Sequence, residues 1–188
     1  DTPVGIYPTV YWQSDLVKNQ AGENINLIEE QTQILVYPKQ DDYRLIQITI
    51  QLLALHDDMM LGGAENEKGY GGFSVRMRLP EGTKFSGSKG TVIPDNLPVH
   101  AGNWIDISGQ LELENELSGI TILQHPDNPG FPGPWILREK KSMQNAVFPY
   151  PGKKLIPFPT DSPITLKYRL IIHRGRVSDL DLEALNNR

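Results

Sequence analysis

Arg44-Leu45-Ile46-Gln47-Ile48-Thr49-Ile50-Gln51-Leu52-Leu53-Ala54-Leu55-His56 is the longest stretch in which apolar and polar residues take turns. Side chains on a strand point alternately to its two faces, so Ile46, Ile48, Ile50, Leu52 and Ala54 share one face and Gln47, Thr49 and Gln51 the other. That is a strand with one buried side; a helix would scatter the isoleucines around its axis. The same period returns twice. Phe73, Val75, Met77 and Leu79 alternate with Ser74, Arg76 and Arg78, and Ile164, Leu166, Tyr168, Leu170 and Ile172 alternate with Thr165, Lys167 and Arg169. Shorter strand candidates are residues 6–12, 25–37, 104–107, 110–113, 120–125 and 135–139, which makes about nine short strands in all.

Turn chemistry separates these runs at Asp41-Asp42, Gly62-Gly63, Gly71-Gly72, residues 80–82, Ser118-Gly119 and residues 126–134. The helix signal comes at the end, where Ser178 would cap a turn, Asp181 follows three residues later, and Leu182 and Leu185 lie on one side. Many short strands, few helices and frequent Gly and Pro predict a mostly β fold. The expected architecture is an antiparallel β-sandwich with one short C-terminal helix, its longest alternating runs central.

The chain has 188 residues, of which 38% are hydrophobic and 22% charged, an ordinary globular balance that fills one core, so residues 1–188 are expected to form a single domain. The net charge of −5 argues against a nucleic-acid partner, which needs concentrated Lys and Arg. The absence of cysteine excludes disulfides, thiolate metal sites and a cysteine nucleophile. No apolar run approaches the ~20 residues needed to cross a bilayer, so a soluble chain without membrane insertion is expected. The sequence opens without a basic and apolar leader, as it would after removal of one, and a periplasmic or extracellular home is the expectation.

Three segments carry a resemblance: Lys68-Gly69-Tyr70-Gly71-Gly72-Phe73-Ser74-Val75-Arg76, then Trp104-Ile105-Asp106-Ile107-Ser108-Gly109, then Gly119-Ile120-Thr121-Ile122-Leu123-Gln124-His125-Pro126-Asp127-Asn128, continued by Pro134-Trp135 and the late His173-Arg174. In order and spacing these resemble the C-terminal part of the bacterial family labelled "methane oxygenase PmoA-like", over residues 24–174. The label implies methane oxidation, yet the particulate methane monooxygenase subunit is an integral membrane protein and no spanning segment is present here. What the resemblance implies instead is a carbohydrate-processing context and a galactose-mutarotase-like sandwich. Members of that family tend to carry an upstream His-His-Arg-Gly segment that is missing before Asn24, so activity that depends on it is not expected of these residues. A sheet lacking upstream strands would expose an edge and recruit a second copy, unless residues 1–23 close it.

The loop from His125 to Trp135 holds Pro126, Pro129, Pro132 and Pro134, which restrict the backbone before any ligand arrives. His125 would serve as acid or base, Asn128 would read hydroxyls, and Trp135 would offer a flat face to a sugar ring. The competing reading makes the loop a corner and Trp135 a core residue. Arg76 and Arg78 share a polar strand face and would bind a carboxylate or hydroxyls if it lines a cleft, with Asp106 as their partner; otherwise that face is solvated. Trp104 is either a platform or core.

The Gly69-Tyr70-Gly71-Gly72 run lacks the Gly-Lys-Ser or Gly-Lys-Thr of a phosphate loop, and its glycines suit positive φ or a bulge. His56, His100, His125 and His173 have no zinc spacing, and no Gly-X-Ser-X-Gly elbow is present, so neither metal nor cofactor is expected.

Three functions remain open at this level. The first is a domain that binds or processes carbohydrate or another small polar ligand. The second is an enzyme of mutarotase, glycoside hydrolase or lyase type, using His125 with Asp106 or Glu139, which requires those groups to converge. The third is a structural accessory domain.

Overall fold

The computed structural model describes residues 2–63, 71–111, 116–140, 142–150 and 155–186. In chain order the strands are β1 (Val4–Ile6), β2 (Thr9–Trp12), β3 (Ile28–Val36), β4 (Tyr43–Ala54), β5 (Met60–Leu61), β6 (Phe73–Val75), β7 (Lys84–Gly87), β8 (Gly90–Thr91), β9 (Trp104–Gly109), β10 (Ser118–Gln124), β11 (Trp135–Arg138), β12 (Met143–Ala146), β13 (Ile156–Pro157) and β14 (Ile164–Arg174). A 3-10 turn (Val177–Asp179) and a short helix α1 (Leu182–Asn186) follow.

Nine strands form one antiparallel sheet in the order β1-β3-β4-β14-β10-β9-β7-β8, with β2 also on β3. The two longest alternating runs lie side by side at its centre, β14 pairing β4 from Ile164 opposite Leu52 to His173 opposite Tyr43. A three-stranded sheet, β11-β12-β6, packs across it, and β13-β5 is a two-stranded ribbon. Ile48, Ile105, Ile107, Ile122, Leu166 and Tyr168 of the large sheet meet Trp135, Leu137, Ala146 and Phe148 in one apolar cluster. The architecture is therefore mostly β and antiparallel, as in a sandwich, and it ends in a short helix.

The outer face of the large sheet is also covered at one end. Leu45, Leu123 and Ile171 pack there against Leu185 of α1, with Trp104, Tyr37, Tyr43, Leu180 and Leu182 around them. Arg169 fastens this cover, its guanidinium donating to the Leu185 carbonyl, and desolvation lowers its pKa from the usual arginine range. Burial on both sides explains why β10 and β9 do not read as alternating strands.

Several expectations need correction. Ser118-Gly119 is no turn but the start of β10. The run from Phe73 to Leu79 keeps its ladder only to Val75, because β12 ends its pairing there; beyond it the Met77 N–H donates to Ser142 Oγ at 3.3 Å. Residues 6–12 split into β1 and β2 at Tyr7-Pro8. Strands β5, β7, β8, β12 and β13 had no forecast. The helix is capped by Asp181, whose Oδ1 accepts the Ala184 N–H at 2.9 Å, and not by Ser178, which sits in the 3-10 turn. Of residues 110–113, the last two lie outside the described residues, as do Gly69 and Tyr70; Gly72 does take positive φ, at 77°.

Candidate functional site

Register decides which polar side chains can meet. On β9 the core side chains are Ile105 and Ile107, so Trp104, Asp106 and Ser108 point to the outer face. Asp106 lies opposite Thr121 of β10 and Ser86 of β7, and on β14 the residue after Ile172 on that face is His173. These neighbours make a buried polar group. His173 Nε2 is 2.8 Å from Asp106 Oδ1, and the Thr121 hydroxyl donates to the same oxygen at 2.9 Å. The side chains of His173 and Asp106 are 0% and 1% exposed.

The other carboxylate oxygen, Asp106 Oδ2, is buried with no hydrogen-bond partner among the described residues. An enclosed acceptor left unsatisfied costs about 1–3 kcal/mol, more for a charge, and such groups call for an explanation. Gly119 lets the arrangement exist: a Cβ there would come within 2.7 Å of the His173 ring and 3.0 Å of Ser108 Cβ.

Asp106 belongs to the floor of a cleft of about 600 Å³ whose lining includes Lys84, Ser86, Thr91, Ser108 and Arg176. By register Lys84 is opposite Ser108 and Ser86 opposite Thr91, so hydroxyls, an ammonium and the carboxylate share one face. The segment after β14 supplies Arg176 and Ser178 to the opposite wall. Chemically this is a set of hydroxyls among charged groups of both signs, Lys84 and Arg176 with Glu81 and Asp106, which offers donors and acceptors to a ligand with several hydroxyls.

The residues singled out from sequence do not converge. His125 lies beyond Thr121 along the same chain direction by about 13 Å at a strand's ~3.3 Å per residue, so it does not meet Asp106. Its Nδ1 instead accepts the Asp127 N–H at 3.2 Å, and Asp127 bonds Lys167 Nζ at 2.8 Å. Burial pulls the His125 imidazole below its ordinary pKa, with Asp127 opposing. Glu139 is exposed beside a separate recess with Pro94 and Asp95. Arg76 is exposed past the end of β6 and is not the partner of Asp106; Arg78, also beyond the strand, lines a different cleft.

Trp135 cannot stack on a sugar in this arrangement, being 0% exposed with its indole N–H given to the Gly102 carbonyl at 2.8 Å. Asn128 reads backbone and not ligand: its Nδ2 donates to the Lys167 carbonyl at 2.8 Å and its Oδ1 accepts the Lys167 N–H at 2.7 Å. Gln124 clasps Gly133 in the same two-point way. The proline-rich loop is thus a corner joining the two sheets. Trp104 is half-buried under the C-terminal segment.

His173 is the residue the sequence reading did not assign to a site. Its signal was its place at the end of an alternating strand on the face opposite the apolar one, where a solvated residue is expected unless something covers it. Among the described residues no group of three or more His, Asp or Glu is placed to hold a metal ion, and no helix is long and apolar enough to cross a membrane.

Fold and site together define a mostly β domain with a cleft lined by hydroxyls, charged side chains and apolar groups over a buried carboxylate and imidazole. A family model described as a family of unknown function (DUF6807) matches residues 4–187, and the chain belongs to that family. That description carries no activity and does not bear on the methane-oxygenase label. No curated protein and no solved structure matches the chain.

Proposed function

We propose that the chain is a carbohydrate-associated domain that binds a hydroxyl-rich ligand in the cleft above Asp106. The observation that carries this reading is the unpartnered Asp106 Oδ2 in a floor shared with Ser86 and Ser108. His173 and Thr121 hold one carboxylate oxygen, which fixes the group and leaves the second to accept from a ligand O–H. A charge-assisted bond of that kind exceeds a neutral one, and the surrounding hydroxyls add direction. The carbohydrate context of the resembling family supports the choice of ligand, and a periplasmic or extracellular home goes with it.

The enzyme reading shifts from His125 with Asp106 or Glu139 to the Asp106 and His173 pair, because that acid and base stand 2.8 Å apart beside the cleft. Both side chains are enclosed, so contact of a ligand with Oδ2, for binding or for proton transfer, requires the cleft floor to open. Self-association is proposed through the β1 and β2 edge, where Val4 and Ile6 are 71% and 56% exposed.

A glycan-array screen followed by titration calorimetry tests the site. Ser86→Tyr and Ser108→Tyr would fill the cleft from partly exposed positions, and binding of the array hit should vanish while the melting temperature holds. A screen with no ligand, or a hit bound equally well by both variants, would refute the site.

A further inference from the structure

A second cleft, of about 560 Å³, opens on the other face of the large sheet, independent of the one above Asp106. Its floor is apolar. Ile120 and Ile172 face each other there across β10 and β14, and Ile172 is 43% exposed because the small sheet does not extend over this end. Met77, beyond β6, closes one side.

Its rim is cationic. Lys39, Arg44, Arg78 and Arg174 line it against the single carboxylate of Asp42, in a chain whose net charge is −5. Among the described residues Lys39, Arg44 and Arg78 form no ion pair. Lys39, Arg44 and Arg78, gathered on a net-acidic chain, repel one another, and an anion seated between them would relieve that repulsion.

A second observation points into the same space. Ser118, 4% exposed, is directly opposite Arg174 in the ladder and shares the face of Ile120 and Ile172. Its Oγ is buried with no hydrogen-bond partner among the described residues. A hydroxyl can donate to an oxyanion, and beside arginine guanidinium groups it completes a receptor for a planar one.

We propose that this cleft binds a small organic carboxylate, its anionic end held by Ser118 Oγ and the arginines and its apolar body laid on Ile120 and Ile172. The apolar floor distinguishes such a ligand from inorganic phosphate, which would gain nothing from it.

Titration calorimetry at low ionic strength, with phenylacetate and inorganic phosphate as probes, tests the proposal. Phenylacetate should bind saturably and more tightly than phosphate, and added salt should weaken it. Arg78→Ala and Lys39→Ala change exposed residues and should each weaken binding by about tenfold, the loss of one charge-assisted contact. Ser118→Ala removes a hydroxyl that has no partner among the described residues, so it should weaken binding with the melting temperature unchanged or raised. Absence of saturable binding, affinity unmoved in Arg78→Ala and Lys39→Ala, or phosphate binding as tightly as phenylacetate would overturn the assignment. Ser86→Tyr should leave phenylacetate binding intact, which separates this site from the cleft above Asp106.

Discussion

Enclosing a carboxylate requires compensation, and at Asp106 that comes from His173 and Thr121. Removing one partner of a buried pair leaves the other uncompensated, so His173→Ala is expected to cost about 3–5 kcal/mol in urea denaturation. A loss below about 1 kcal/mol would mean that Asp106 is not held as described. Gly119→Ala should be destabilising by about 1–3 kcal/mol, since the added methyl meets the His173 ring and Ser108. The dyad was hidden in the sequence for a plain reason. Its members are 67 residues apart and meet only because β10 lies between β9 and β14, an order that alternation does not reveal. His125 titrates against a different background. Burial lowers its pKa, so the unfolded chain takes up the proton at higher pH than the folded one. The resulting stability is complete above the ordinary histidine value and is lost as pH falls below it. His125→Gln should flatten the dependence of the urea midpoint on pH between about 7 and 5; an identical slope in both proteins would contradict the shift.

At the scale of elements, legibility followed how many faces of a strand are covered. Strands β4 and β14 have isoleucines and leucines on one side and polar groups on much of the other, and alternation located both. Ile48, 7% exposed, should cost about 2–5 kcal/mol when cut to alanine; Leu170, expected from sequence to be buried, only borders the core cluster and should cost less, as paired denaturation curves would show. Strands β7 and β12 went unread because Lys84-Phe85-Ser86-Gly87 and Met143-Gln144-Asn145-Ala146 lack the β-branched residues that mark a strand. The proline-rich loop stayed open between site and corner for another reason: Asn and Gln that bracket a backbone look, in sequence, like Asn and Gln that await a ligand. Asn128→Ala should therefore act on the fold, at about 1–3 kcal/mol for the two lost bonds to Lys167.

Across the whole molecule, the large sheet has one edge that the chain itself completes. Val4 opposite Val36 and Trp12 opposite Ile28 lie on one register, so β1 and β2 are a single edge strand interrupted at Pro8, as edge strands often are. Val10 and Trp12 remain 47% and 40% exposed on the side that continues the core face. Light scattering should show concentration-dependent association that a Val4→Lys, Ile6→Lys double variant abolishes; a monomer at every concentration would show that the interrupted edge needs no cover. Away from that edge the two clefts occupy opposite faces at the same end of the strands, one over β7, β8 and β9 with its hydroxyls and the other over β4, β14 and β10 with its rim of cations. The central claim is that the hydroxyl-lined one receives a glycan through Asp106. The most direct measurement is amide chemical-shift mapping during titration with an array-selected glycan. The account predicts saturable shifts clustered at Ser86, Asp106, Ser108 and Arg176, whereas shifts confined to the loop between His125 and Trp135, or no shifts at all, would contradict it.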